Sequence, residues 1–187
     1  ITLTMMVYIG FRYWVSIVVS LLVVGLLSIL VERLVFHPLR NTISINSMIA
    51  AIGIMLFLEA FAQLVWGPDF RQMPTPYLDV IHVFGVTLTV QRLLIIIAAV
   101  AVMILLNLFL KKTFIGRTIV AMSQNREGAF LVGINANKVA MITFFIAGAL
   151  AAIAASLTSP INLVFPGMGH LVLLKAFLII IIGGMGS

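Results

Sequence analysis

The chain contains no cysteine, which removes structural disulfides and thiolate metal sites and leaves the redox character of its compartment undetermined. Charge is scarce: 9% of the 187 residues are Asp, Glu, Lys or Arg. Soluble domains carry about a quarter, so an ordinary water-facing surface cannot be built from this composition. Acids are the rarer sign, 5 against 11 Lys and Arg. Catalytic patterns are missing as well. His37, His82 and His170 are scattered, and the chain holds no His-Glu-x-x-His, no Gly-x-Ser-x-Gly and no Gly-x-x-x-x-Gly-Lys-Ser/Thr phosphate cradle. No catalytic residue, metal site or cofactor site is therefore expected, and any ATP must be handled by another chain.

What is abundant is apolar surface. Hydrophobic residues make up 63% of the sequence and the mean hydropathy is +1.28, values that name the bilayer as solvent. Crossing a hydrocarbon core takes about 20 mostly apolar helical residues. Runs at 13–31, 47–66, 93–110 and 139–158 meet that length, and a shorter one at 171–182 needs either residues 165–170 or residues further downstream to complete a span. The expected fold is all-α, a polytopic transmembrane helical bundle with about five spans. Residues 1–187 read as a single transmembrane domain, truncated at both ends: the chain begins Ile1-Thr2-Leu3 and stops at a Gly-rich tail, Gly183-Gly184-Met185-Gly186-Ser187.

Lys and Arg set the orientation. Residues 111–138, between the third and fourth spans, carry Lys111, Lys112, Arg117, Arg126 and Lys138, which marks that loop as cytoplasmic. Alternation puts Arg33 and Arg40 on the same side and sends Arg12, Arg71 and Arg92 outside. The net charge of +6 thus reads as topology rather than as affinity for nucleic acid. In the outer connection, Pro68, Pro74 and Pro76 precede an alternating run from Val80 to Thr89 interrupted by Gly85, which predicts a short hairpin.

Within the cytoplasmic loop, Ser123-Gln124-Asn125-Arg126-Glu127-Gly128-Ala129 and, further on, Gly133 read as a short capped helix. Ser123 or Asn125 can accept from orphan amides at its start, Glu127 complements the positive end of the dipole, and Gly133 can take the left-handed conformation that ends it. So short a helix is not stable alone and has to be propped by neighbours. Two readings follow: a docking site for a partner, or an interfacial helix whose charges hold the topology.

The triplet Glu127-Gly128-Ala129 with Gly133 at its spacing resembles the EAA loop of ATP-binding-cassette importer permeases, with Gly128 in place of the first alanine. Over a wider span, Val31-Glu32-Arg33, Pro38-Leu39-Arg40, Ala51-Ile52-Gly53, Trp66-Gly67, Val132-Gly133-Ile134-Asn135, Lys175-Ala176-Phe177 and the Gly183–Ser187 tail resemble the high-affinity branched-chain amino-acid permeases. The resemblance implies a subunit of the bacterial inner membrane that pairs with a second, related permease. It further implies two cytoplasmic ATPases, which bind ATP and Mg, and an external substrate-binding protein. Residues 123–133 would then be the coupling helix, with branched-chain or related amino acids or amides as substrate. The alternative is a gradient-driven carrier or channel, which calls for ionisable groups inside the membrane; the spans offer mainly Glu59 and Lys175.

Glu59 lies roughly 18 Å along the second span at 1.5 Å per residue, past the midplane, with Gln63 one turn on along the same face. They read either as an inter-helix hydrogen-bonding pair or as a polar patch on the substrate path. Gln91 and Asn107 read as structural, and Lys175 as snorkelling to the outer interface. Ala147, Ala151 and Ala155, beside Gly148, Ala152 and Ser156, repeat at four-residue spacing and predict close helix packing. Residues 159–170 hold Pro160, Pro166, Gly167 and Gly169 without a charged group. Broken backbone at membrane depth needs cover from protein or a cavity, so Pro160, Pro166 and Gly169 read either as joining Glu59 and Gln63 along the path or as part of an exposed external loop.

Overall fold

A computed structural model describes residues 1–4, 13–40, 44–73, 80–83 and 86–183. Arg12, Pro74, Pro76, Gly85 and the tail beyond Gly183 lie outside the described residues. Helix α1 spans Tyr13–Val31 and continues through a π-helical segment, Glu32–Phe36, and an α-turn, His37–Leu39. Next come α2 (Ser44–Trp66), strands β1 (Val80–Val83) and β2 (Val86–Thr89), α3 (Val90–Lys112), α4 (Phe114–Gln124) and α5 (Arg126–Leu131). Helix α6 (Ala136–Thr158) leads through 3-10 turns at Ser159–Ile161 and Pro166–Met168 to α7 (Gly169–Gly183). Among the described residues 5 helical stretches are long and apolar enough to cross a membrane, as an all-α polytopic bundle requires.

The helices outrun their apolar runs because a backbone in lipid must satisfy its own donors and acceptors, and charged residues can ride on a helix that has reached the interface. The first span ends at Leu39 rather than at Val31. Its π segment has a local cause: Pro38 offers no N–H to the carbonyl of Leu34 and its ring crowds that carbonyl. The ladder shifts upstream, and His37 N–H bonds the carbonyl of Glu32. Helix α2 stops at Gly67, whose φ is +81° and whose N–H closes onto Gln63 O at 2.8 Å, just before Pro68. The expected hairpin pairs antiparallel, Val80 with Thr89 and Val83 with Val86.

Helices α1 and α6 make the dominant contact of the bundle. They run antiparallel: Tyr13 meets Ser156 at one end and Arg40 meets Asn137 at the other. Small residues let them close. A Cβ on Gly25 would stand 2.6 Å from the Phe145 ring, and one on Gly148 would stand 2.0 Å from Ser28 Oγ and 3.0 Å from the carbonyl of Val24. The stripe Gly148, Ala152 and Ser156 is buried against α1, whereas Ala147, Ala151 and Ala155 on the adjacent stripe are exposed. Only one of the two small-residue rows is the interface.

Polar groups seal the Tyr13 end. Thr2 Oγ1 bonds Ser20 Oγ at 2.6 Å and Ser156 Oγ at 2.7 Å. Pro160 cannot donate to the carbonyl of Ser156, and Tyr13 OH does so instead at 3.2 Å. Gln91 Nε2 donates to the next carbonyl, Leu157 O, at 3.0 Å, and Asn162 Nδ2 to the one after, Thr158 O, at 3.2 Å. The carbonyls orphaned where α6 ends thus find side-chain donors, as burial demands. Met73, Ile17 and Leu157 pack around this network.

Candidate functional site

At the opposite end, α3 turns into α4 at Thr113. Its hydroxyl donates back to Phe109 O at 2.7 Å and accepts from Gly116 N at 2.9 Å. Gly116 makes the turn possible, since a Cβ there would lie 2.2 Å from Phe109 O and 2.6 Å from Leu110 Cα. Most of residues 111–138 is therefore helical. The segment that reads as one short helix from the sequence divides in two at Asn125. Ser123 and Gln124 belong to the last turn of α4, and Ser123 Oγ donates to Val120 O at 2.8 Å. Ser123 is no cap.

Asn125 is the cap of α5. Its backbone is extended (φ −149°, ψ 102°) and its Oδ1 accepts from Gly128 N at 2.8 Å, satisfying one of the orphan amides at the helix start. Glu127 stands exposed in the first turn, where a negative charge is favoured. The other end is a Schellman turn: Gly133 has φ +80°, Gly133 N donates to Phe130 O, and Ile134 N to Ala129 O, each at 3.0 Å. Capped at both ends, the helix has only 6 residues, so its hold on the bundle rests on Ala129, which is buried. Its other large apolar residues, Phe130 and Leu131, are 51% and 90% exposed, and Val132, which follows the helix, is 75% exposed. Arg126 lies over the Phe130 ring, 5.9 Å from its centroid.

Behind α5 is a cleft of about 600 Å³ lined by His37, Arg40, Arg126, Phe130 and Asn135, among others. Arg40, at its wall, donates Nη1 to Asn137 Oδ1 at 2.6 Å and Nη2 to Glu32 Oε1. Glu32 is 1% exposed. From the sequence, Glu32 and Arg33 read alike as interfacial charges at the end of an apolar run. The π segment turns the first inward and leaves the second exposed, a difference that carries no sequence signal apart from Pro38 downstream.

The path candidates fall into two places. Glu59, Pro166 and Gly169 come together with Met55, Leu58 and His170 around a cavity of about 200 Å³. Glu59 Oε2 and His170 Nε2 are 2.7 Å apart, which ties α2 to the start of α7. Gly167 packs tightly over the pair, since a Cβ there would stand 3.0 Å from Glu59 Oε1. Gln63 does not line this cavity and is exposed. Pro160 is elsewhere, buried where α6 ends. The broken segment is pinned to the connection that follows α2 by paired backbone bonds, Arg71 N to Val164 O at 2.9 Å and Val164 N to Arg71 O at 2.8 Å. His170 carries no motif around it, and only its position at the end of a Pro/Gly-rich stretch, directly after Gly169, hints at a partner across helices.

The family described as branched-chain amino acid transport system permease component matches residues 1–187. The high-affinity branched-chain amino acid transport system permease protein BraD of Pseudomonas aeruginosa is 33% identical over 175 residues, covering 90% of this chain and 57% of that one. LivH of Escherichia coli, named likewise, is 29% identical over 163 residues, covering 84% and 53%. A probable branched-chain amino acid transport permease protein LivH of Methanocaldococcus jannaschii is 28% identical over 197 residues, covering 99% and 60%. The chain spans about half the length of the curated relatives it matches. No solved structure matches it.

Proposed function

Since the chain belongs to the family of permease components of branched-chain amino acid transport systems, we propose that it forms part of a permease subunit of an ATP-driven importer. The subunit carries branched-chain amino acids across the bacterial inner membrane by alternating access. It works with a second, related permease, two cytoplasmic ATPases that bind ATP and Mg, and an external substrate-binding protein. Helix α5 is the coupling element that docks on an ATPase, and the cavity beside Glu59 and His170 borders the substrate path.

The observation that carries this reading is the form of α5. Six residues capped at both ends and anchored through one small buried side chain leave Phe130 and Leu131 exposed, with the exposed Val132 directly after them. A contiguous apolar group on a helix too short to stand alone calls for a partner surface, and the Lys/Arg-rich end of the bundle beside it supports a cytoplasmic partner. Movement of α5 reaches the transport helices through α6, which begins directly after the Schellman turn.

The test is Glu127→Lys in the full-length protein, which reverses the charge at the start of α5 and leaves the membrane spans untouched. The expected result is normal membrane insertion with reduced ATP-driven uptake of radiolabelled leucine and reduced recovery of the ATPases on purification. Unchanged uptake and recovery would remove α5 from the docking role. Uptake in the wild type that survives ATP depletion and collapses with ionophores would indicate a gradient-driven carrier.

A further inference from the structure

The charges at the end of α1 are arranged for more than holding topology. Glu32, 1% exposed, opens the π segment with its Oε1 paired to Arg40. Its Oε2 is buried without a hydrogen-bond partner among the described residues. A buried carboxylate oxygen left unpaired is unfavourable and calls for a reason. π segments of this kind recur at functional positions.

The geometry offers a partner in another arrangement. Glu32 lines a cavity of about 320 Å³ together with Arg126, Arg40, Ser47 and Phe144. Arg126 is the first residue of α5, and it also shares both neighbouring clefts with Arg40. At present its guanidinium rests on the Phe130 ring. Arg40 already joins Glu32 to Asn137 in the first turn of α6. One carboxylate thus sits within a single cavity between a cation fixed to the transport helices and a cation fixed to the docking helix.

We propose that Glu32 receives the movement of the docking helix: Arg126 leaves Phe130 and donates to the free Oε2 when a partner presses on α5. Glu32 is then held by Arg40 on one oxygen and Arg126 on the other, and α5, the end of α1 and the base of α6 move together. The two arrangements, ring-stacked and carboxylate-bound, supply the discrete switch that coupling between distant sites needs. The planar fork of arginine suits both partners, the aromatic face and the carboxylate. This inference rests on the docking role proposed for α5.

The test uses the full-length complex with its ATPases and binding protein in proteoliposomes, with leucine uptake and ATP hydrolysis measured together. Glu32→Gln keeps the shape and an acceptor for Arg40 but loses the charge that draws Arg126. Expected are assembled complexes and a fall of about tenfold or more in leucine carried per ATP hydrolysed. Arg126→Gln lowers the same ratio, and the double variant is no worse than the poorer single one. A wild-type ratio in Glu32→Gln, or losses that multiply in the double variant, would overturn the proposal. If Glu32→Gln does not accumulate, Glu32→Asp takes its place, since it keeps the charge for Arg40 and shortens the reach toward Arg126; a wild-type ratio there overturns the proposal equally. Wild-type uptake indifferent to ATP sinks the docking reading and this inference together, whereas ATP-driven uptake with a normal Glu32→Gln sinks the inference alone.

Discussion

Gly148→Ala adds a single methyl at the tightest point between α1 and α6. The new Cβ would lie 2.0 Å from Ser28 Oγ, 2.8 Å from Ser28 Cβ and 3.0 Å from Val24 O. Ser28 Oγ can rotate away by giving up its 2.9 Å bond to Val24 O, which removes the first clash and leaves the other two. Both remaining atoms are fixed by the α1 backbone, so the helices must separate. Overpacking of this kind costs about 1–3 kcal/mol, and the helix preference of alanine over glycine returns up to about 1 kcal/mol. The expected net loss is about 0–2 kcal/mol. Folded fraction against SDS mole fraction, measured on the full-length protein in mixed micelles, reads this directly. Ser28→Gly removes both the Oγ and the Cβ. Combined with Gly148→Ala it should show a favourable coupling of about 1 kcal/mol. Gly53→Ala is the comparison, because a Cβ there meets nothing within 4 Å, and it should lose no stability. A Gly148→Ala variant as stable as Gly53→Ala, or additive effects with Ser28→Gly, would refute the close contact between these helices.

Asn125→Ala should cost α5 about 1 kcal/mol through its lost cap, seen as faster hydrogen exchange at the Gly128 amide, whereas Asn125→Asp should retain protection; equal exchange in both would deny the capping geometry. Glu59→Gln keeps an acceptor for His170, and because inter-helix hydrogen bonds in membranes average about 0.6 kcal/mol, stability should change by less than about 1 kcal/mol. Leucine uptake should nevertheless fall if the cavity beside Glu59 borders the substrate path, and undiminished uptake would take Glu59 off that path.

Much of the fold was legible because lipid imposes a simple length rule on the chain. The spans are where the apolar runs are, and the hairpin is where the alternation is. Boundaries were less legible: α3 gains Val90, Gln91 and Arg92 at its start and Lys111 and Lys112 at its end, since charge does not stop a helix that has reached the interface. The short helix α5 was legible in its caps, because a left-handed glycine and an Asn acceptor leave local signatures. The break at Asn125 was not, since either Ser123 or Asn125 could have begun the helix. Of the path candidates, Glu59, Pro166 and Gly169 share a cavity, while Gln63, one turn further along α2, is exposed and Pro160 is buried where α6 ends.

Sequence alone determined what depends on composition and on neighbours along the chain: that this is a membrane bundle, where its helices run, and which short helix is capped. Only the tertiary structure decided what depends on facing partners. It chose the Gly148 row over the Ala147 row as the α1–α6 interface, gave the carbonyls freed by Pro160 their donors in Tyr13 and Gln91, paired Glu59 with His170, and buried Glu32 while leaving Arg33 outside. In lipid the hydrophobic pattern no longer distinguishes an inward from an outward face. Shape and hydrogen bonding between residues far apart in the chain make that choice, and neither is written in a local run of letters.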